Sequence, residues 1–230
     1  GEILILEGEN GQEEEIEVRH PYALVSSGEK KNILEFSCRH FYEEGKTNLI
    51  LCKGKTTANK TASEIYNWID HDIKNDEVNL IQRYIDEEMG CTSLFSKLLG
   101  RGIAVHHAGL SDEVKLLTEH LIRKGLVNYV CATTTIAEGV NFPVSSVYFD
   151  TYQRGKNNIL SANDFWNIAG RAGRTMVDDF GKIILPFNSE KNIETGIEIL
   201  RKGAEELTSV LSKLFIDREY VLNTLIQDKG

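Results

Sequence analysis

The chain alternates short apolar segments with stretches of helical periodicity, and this alternation restricts its fold more than any other feature. Short and mostly apolar segments are typical of strands that helices cover on both faces. Strands that alternate with helices predict an α/β fold with a mainly parallel sheet. Ligands of such sheets gather at the carboxyl ends of the strands. The segments are Asn48–Cys52, Gly102–His106, Tyr129–Ala132, Ser146–Phe149 and Lys182–Pro186.

Different patterns flank this α/β region. Residues 2–7 and 15–19 predict two short strands joined around Asn10-Gly11, a pair that favours a tight turn. Residues 29–44 have helical spacing, and residues 190–227 are expected to be helical. We therefore divide the chain into a lead-in hairpin and helix (1–45), an α/β domain (46–189) and a C-terminal helical extension (190–230).

Two serines mark expected helix starts within the α/β domain. Ser111 precedes a helical stretch that ends near Gly125, and serine is a favoured N-cap residue. Ser161 with Asp164 resembles a capping box before another helix. Residues 77–100 have helical spacing in two pieces.

The composition is that of an ordinary globular protein, with 41% hydrophobic residues and a net charge of −9. No apolar run is long enough to span a membrane, and no signal peptide is visible, so we expect a cytoplasmic or otherwise intracellular protein. The absence of an initiator Met indicates a piece of a longer protein. The negative charge argues against nucleic acid, but most of it lies in residues 1–20, and a few local groups can bind phosphates.

The four cysteines are scattered along the chain and form no C-x-x-C pair. We expect all of them to be reduced thiols in the core, and we expect no structural zinc site. The cysteines are Cys38, Cys52, Cys91 and Cys131.

Two G-K-T triplets, at Gly45 and Gly54, resemble the end of a phosphate-binding P-loop. A P-loop needs a second glycine five residues earlier, so that the backbone can wrap the phosphates. Those positions hold His40, within a helical stretch, and Leu49, within a strand. No strand ends in an acidic D-E box either. We therefore expect the chain to lack the groups that bind Mg²⁺ and the β-phosphate, and to be inactive as an ATPase alone.

The string Asn-Ile-Ala-Gly-Arg-Ala-Gly-Arg at residues 167–174 places two arginines at the end of a predicted helix. Two guanidinium groups at that spacing can meet one phosphate, although a solvated basic helix end is the simpler explanation for two such arginines. The full string resembles the sixth motif of superfamily-2 helicases, Q-x-x-G-R-x-G-R. The resemblance implies catalytic arginines at Arg171 and Arg174 that reach the γ-phosphate of ATP, with Gly170 and Asn167 near the nucleotide. Asn167 stands where the family normally has Gln.

The string from Ala132 to Pro143, ATTTIAEGVNFP, places three threonines and a glycine after a strand. Successive threonines can cap a helix or bind phosphate, and the residues alone leave both possibilities open. The string resembles the fifth motif of DExH helicases of the superkiller-like (Ski-like) branch. The resemblance implies that Thr133 and Thr134 lie near the nucleic-acid backbone, and that Gly139 and Asn141 lie near the nucleotide.

Adjacent histidines, His106 and His107, end the second strand of the α/β domain. A helical zinc pair needs a spacing of four residues and further ligands, so a strand end packed against a helix start is the better explanation. The string from His106 to Ser111, HHAGLS, also resembles a stretch of Ski-like helicases that contacts nucleic acid. It implies His107, Gly109 and Ser111 as strand-binding residues, because a helix N-terminus can bind phosphate.

The segment Leu49–Lys55, followed by Ala58 and Ala62, resembles the fourth motif of the same family. The resemblance implies that Lys53 and Gly54 contact the nucleic-acid backbone, whereas the residues alone fit a solvated turn almost as well.

The four motifs cover residues 46–187 in the family's order. They imply a second RecA-like motor domain that closes on a first RecA-like domain of the same parent chain. ATP and Mg²⁺ would be held mainly by that first domain, and the track would be a single strand of DNA or RNA, with 3′-to-5′ movement. An inactive helicase-like interaction module is the alternative. A dinucleotide-binding domain would need G-x-G-x-x-G after a strand, and the sequence contains none.

Overall fold

The computed structural model of the chain describes residues 2–7, 13–18, 29–40, 45–134, 136, 144–154, 158–173, 182–186, 194–199 and 201–202. Two strands, β1 (Glu2–Glu7) and β2 (Glu13–Val18), pair antiparallel, which confirms the expected N-terminal hairpin. Among the described residues, no helix is both long enough and apolar enough to cross a membrane.

The central sheet contains five strands, and every neighbouring pair is parallel. The strand order is β4-β5-β3-β6-β9. Each of the five predicted segments forms one strand, which confirms the α/β, mainly parallel architecture. The strands are β3 (Asn48–Leu51), β4 (Ile103–His106), β5 (Tyr129–Ala132), β6 (Ser146–Phe149) and β9 (Lys182–Ile184).

Most of the described helices lie between strands of this sheet, and the N-caps of two of them were predicted. Ser111 Oγ accepts a hydrogen bond from Val114 N, and Ser161 Oγ accepts one from Asp164 N, which confirms both predicted N-caps. A short hairpin of β7 (Gln153–Arg154) and β8 (Asn158–Ile159) follows β6, and residues 194–199 and 201–202 are helical. The helices are α1 (Glu29–His40), α2 (Lys55–Trp68), α3 (Asp76–Met89), α4 (Leu94–Leu99), α5 (Asp112–Arg123) and α6 (Ala162–Ala169).

Helices cover both faces of the sheet, as the apolar strands predict. Alternate residues of a strand point to opposite faces, so β3 contributes Leu49 and Leu51 to one core and Ile50 to the other. The Leu49 core contains residues of α3, α5 and α6, whereas the Ile50 core contains residues of α1 and α2. The sheet is therefore the middle layer of three.

The expectation that all four cysteines lie in the core was wrong for Cys91, which is exposed. Gly90 ends α3 in the left-handed conformation, and the chain then leaves the helix into the α3–α4 turn, where Cys91 faces solvent. The other three cysteines are buried and free. Burial, with the nearby Glu35 carboxylate, raises the pKa of the Cys38 thiol to about 12, so it remains protonated.

Candidate functional site

The turns that follow the parallel strands meet at one edge of the sheet. Backbone hydrogen bonds align the carboxyl ends of β3, β4 and β5. Thr133 N donates to His106 O over 3.1 Å, and Cys52 N donates to Ala132 O over 2.7 Å. The β3–α2 turn, the β4–α5 turn and the start of the β5–β6 connection therefore form one continuous surface, which we call the carboxyl edge.

The β3–α2 turn ends with a helix start that is open to an anion. Gly54 is the N-cap residue of α2 and has no side chain to satisfy the first backbone N–H groups. The first helical hydrogen bond runs from Ala58 N to Gly54 O, so the three preceding N–H groups have no acceptor within the helix. The first turn contains no acidic residue, and the side chains of Lys53 and Lys55 are exposed. A helix start with these properties attracts a phosphate.

The β4–α5 turn is organised around the buried ring of His107, which is only 4% exposed. Its Nδ1 accepts a hydrogen bond from Gly109 N over 3.1 Å, and its Nε2 lies 3.0 Å from Oδ1 of Asn59 in α2. Because Nδ1 accepts, the neutral ring carries its proton on Nε2 and donates to Asn59. The ring thus links helix α2 to the backbone of the β4–α5 turn.

The surroundings of His107 favour this neutral ring. Burial is the main cause that lowers the pKa of His107, and the charges of His106, Lys55 and Lys115 lower it further. An interaction with the residue's own backbone acts in the opposite direction without reversing the shift.

The two turns lie side by side at Gly109. A Cβ atom placed on Gly109 would lie 3.2 Å from Nδ1 of His107 and 3.7 Å from Cδ of Lys55. The structure therefore brings together Gly54, His107 and Gly109 among the sequence-predicted residues. Lys55 and Asn59 were not among those residues, because the resemblance to the fourth motif, which includes Lys55 and the flanking Ala58 and Ala62, assigned neither of them a role.

Ser111 occupies a different environment from Gly54. Its hydroxyl caps α5, and Asp112 and Glu113 place two carboxylates in the first turn. Lys115 Nζ donates to Asp112 over 2.8 Å. Of the two helix starts at the carboxyl edge, α2 is the more favourable for a phosphate, because α5 is already capped and carries negative charge.

The threonines after β5 lie at the same edge. Thr133 is 8% exposed, its N–H binds the end of β4, and its carbonyl accepts from Ile136 N. Thr134 is half-buried. The predicted nucleotide contacts Gly139 and Asn141 lie outside the described residues.

Arg171 lies at the opposite, amino edge of the sheet. Val144 N donates to Arg171 O over 3.3 Å, and Gly173 N donates to Val144 O over 2.9 Å. Val144 lies just before Ser146, where β6 begins, so these bonds attach the end of α6 to the amino end of that strand. The side chain of Arg171 is half-buried, while Asn167 and Gly170 beside it are exposed. Arg174 lies outside the described residues.

His106 pairs with a carboxylate beneath the carboxyl edge. Its Nε2 lies 3.0 Å from Glu119 Oε1, and the two side chains are 6% and 18% exposed. In the part of the chain that the structure describes, no cluster of three or more His, Cys, Asp or Glu residues could hold a metal ion. The adjacent histidines thus have different partners, Glu119 for one and Asn59 for the other.

Comparisons with known proteins identify relatives of this chain. No protein-family model matches the chain. The Hachiman protein HamB of Bacillus cereus is 32% identical over 149 residues, which is 64% of this chain and 13% of HamB. The antiviral helicase SKI2 of Saccharomyces cerevisiae is 42% identical over 106 residues, or 44% of this chain and 8% of SKI2. The ATP-dependent DNA helicase Hel308 of Pyrococcus horikoshii is 29% identical over 199 residues, or 84% of this chain and 28% of that helicase.

This chain is a homologue of the Ski2-like helicases of superfamily 2. The five-stranded parallel sheet with helices on both faces agrees with the RecA-like fold expected of a Ski2-like motor domain. The chain matches only 8% to 28% of the length of these three relatives.

Proposed function

We propose that this chain is the second RecA-like motor domain of an ATP-dependent helicase or translocase that moves along a single strand of nucleic acid. The observation that carries the proposal is that the motif residues within the described part of the chain divide between opposite edges of one sheet. The residues assigned to the strand lie at the carboxyl edge, and Arg171, assigned to ATP, lies at the amino edge.

The carboxyl edge has the chemistry of a phosphate-binding surface. It presents the uncapped start of α2, the exposed ammonium groups of Lys53 and Lys55, and the ring-supported backbone at Gly109. Backbone N–H groups and lysines bind phosphates without reading bases. The edge therefore fits the sugar-phosphate backbone of DNA or RNA, with Thr133 and Thr134 as neighbouring contacts.

The amino edge fits the triphosphate of ATP but not its metal. Arg171 supplies a guanidinium group, which binds phosphate oxygens, and the exposed amide of Asn167 can donate to the nucleotide. The guanidinium of Arg171 has no oxygen ligand for Mg²⁺, and the single amide oxygen of Asn167 does not make a Mg²⁺ site without carboxylates beside it. ATP supplies the phosphoryl group whose transfer drives movement, and a first domain of the parent protein would hold its Mg²⁺. Arg171 and Arg174 would stabilise the charge that develops on the transferred group.

Binding to a single strand tests the carboxyl edge. In the full-length protein, Lys53→Ala and Lys55→Ala should each weaken binding to fluorescein-labelled oligo(dT) or oligo(U) by about fivefold at ~0.1 M salt. Each should also reduce the slope of log affinity against log salt by about 0.7. Lys74→Ala is the matched control, because Lys74 is exposed but lies at the other edge of the sheet. The preceding residue, Ile73, donates its N–H to Gly100 O, just before the amino end of β4. Equal effects of all three variants would contradict the proposed surface.

Nucleic-acid-stimulated ATP hydrolysis tests the amino edge. Arg171→Ala in the full-length protein should lower kcat by about 10³-fold or more while strand binding persists, because an arginine finger acts on the transition state. The control is Arg83→Ala, at an exposed position of α3, which should leave kcat unchanged.

A wild-type protein that binds strands but hydrolyses no ATP would instead support the interaction module. The isolated chain should hydrolyse no ATP, and turnover by it would contradict the two-domain proposal.

A further inference from the structure

We propose that Asn59 is a positioning residue of the strand-binding edge, and that it acts by selecting the tautomer of His107 that holds the β4–α5 turn beside Lys55. This inference rests on the proposed function, because it assigns Asn59 to the binding of the same strand. No motif assigns a role to Asn59, which lies on the second turn of α2.

Two hydrogen bonds in series carry the inference. Asn59 Oδ1 lies 3.0 Å from His107 Nε2, and His107 Nδ1 accepts from Gly109 N over 3.1 Å. An imidazole ring that donates at one nitrogen can accept at the other only while it is neutral. The carbonyl oxygen of Asn59 places the proton on Nε2, and that leaves Nδ1 free to accept from the backbone of Gly109.

The packing around the ring makes the position of Gly109 depend on it. A Cβ atom on Gly109 would approach His107 Cε1 to 3.3 Å, so the turn already lies in contact with the ring. The Phe95 ring packs against the imidazole in a T-shaped arrangement, with centroids 6.4 Å apart, and restricts its rotation. His107 is itself buried, so water cannot replace a hydrogen bond that the ring loses when its tautomer changes.

The charge of the acceptor decides which form of the ring is stable. The titratable groups that face His107 are Lys55 from α2, Lys115 from α5 and the adjacent His106, and each disfavours a second positive charge. A neutral amide adds no charge that would offset them. A carboxylate at position 59 would favour the imidazolium form, whose Nδ1–H would oppose the N–H of Gly109.

The first experiment removes the acceptor. In the full-length protein, Asn59→Ala should raise the Kd for fluorescein-labelled oligo(dT) or oligo(U) by about three- to tenfold, through loss of one hydrogen bond and the tautomer that it selects. The ATPase kcat at saturating strand should stay unchanged while the strand concentration for half-maximal activity rises. Amide hydrogen exchange in the peptide that contains Gly109 should become faster, and exchange in α3 should not change.

The second experiment separates positioning from simple charge. With Asn59→Asp, lowering the pH from about 8.5 to about 6 should protonate His107 and weaken strand binding. Simple repulsion between the new carboxylate and the phosphates predicts the opposite, because the imidazolium would neutralise the carboxylate. Asn79→Asp, on the exposed surface of α3, makes the same replacement away from His107 and should show no such pH dependence.

The outcomes distinguish this inference from the proposed function. If Lys53→Ala weakens strand binding but neither Asn59 variant changes the Kd or the exchange of Gly109, the role of Asn59 is overturned and the proposed function stands. If the wild-type protein binds no strand, the proposed function fails. The exchange of Gly109 then decides alone whether Asn59 positions this turn.

Discussion

The ring of Phe149 stacks on the ring of Phe165, with centroids 4.5 Å apart and planes inclined by 28°. Phe149 ends strand β6, and Phe165 lies in the middle of α6. Both are fully buried, so this contact fixes α6 against the sheet. Because α6 leads directly into Arg171, the stack also sets where that arginine lies.

Truncation of Phe165 should therefore be among the costlier changes in this domain. We expect Phe165→Ala to lower the free energy of unfolding by about 3–5 kcal/mol, through lost apolar burial and the cavity that remains. Leu116→Ala, at an exposed site on α5, should change it by less than about 0.5 kcal/mol. Urea denaturation of both variants measures the difference, and similar midpoints would contradict the role of the stack.

Gly102 and Gly90 share a left-handed backbone but differ in the space around them. A Cβ atom on Gly102 would lie 2.7 Å from Ile73 Cδ1 and 2.8 Å from Asn128 Oδ1, whereas one on Gly90 would meet nothing within 4 Å. Both alanine variants should lose about 1–2 kcal/mol from the backbone conformation alone. Gly102→Ala should lose about 1–3 kcal/mol more, because the added methyl group overpacks the start of β4. Thermal unfolding should show a larger loss of stability for Gly102→Ala than for Gly90→Ala. The reverse order would show that the space at Gly102 does not matter.

Arg101 stabilises the end of α2 through its hydrogen bonds more than through its ion pairs. Its Nη1 donates to the carbonyls of Tyr66 and Ile69, each over 2.8 Å, and the guanidinium lies 4.1 Å from the centre of the Tyr66 ring. Its two ion-pair partners, Asp72 at 3.4 Å and Asp70 at 3.9 Å, are both exposed. We expect Arg101→Ala to cost about 1.5–3 kcal/mol of unfolding free energy.

The matched changes at the ion pairs are Asp70→Asn and Asp72→Asn, each of which should cost much less than Arg101→Ala, because water screens exposed carboxylates. Chemical denaturation compares the two carboxylate variants with Arg101→Ala. If either carboxylate variant proves as costly as Arg101→Ala, the stabilisation resides in the ion pairs and our interpretation of the helix end is wrong.

The pKa of His107 links stability to pH in a defined direction. Because burial above all lowers that pKa below its usual value of 6.5, the unfolded chain binds a proton more readily than the folded chain. The contribution of the neutral ring to stability is present above about pH 6.5 and is lost as the pH falls through the folded pKa.

Replacement of the ring should remove this part of the pH dependence. The unfolding free energy of His107→Gln, followed by denaturation between about pH 8 and about pH 5, should decline less steeply on acidification than that of the wild type. Two parallel curves would show that His107 does not titrate differently on folding.

Much of the fold follows from local patterns in the sequence. The strands β3, β4 and β5 are apolar because both faces are covered, and that pattern identified them. Ser111 and Ser161 marked helix starts, because capping depends on residues only three positions apart. The order of the strands was not predicted, since the choice of neighbour depends on packing between distant segments. The exposure of Cys91 was missed for a similar reason, because it depends on the path of the chain after Gly90.

The sequence by itself determined the elements, their order and the motif strings that mark a Ski2-like relative. The tertiary structure alone decided which motif residues share an edge: Lys55 lies beside Gly109, and Arg171 lies at the other end of the sheet. It also revealed Asn59, which binds a histidine 48 positions away. Propensity, capping and alternation act over a few residues and leave a trace in the sequence, whereas a contact between distant segments exists only after the sheet has aligned them.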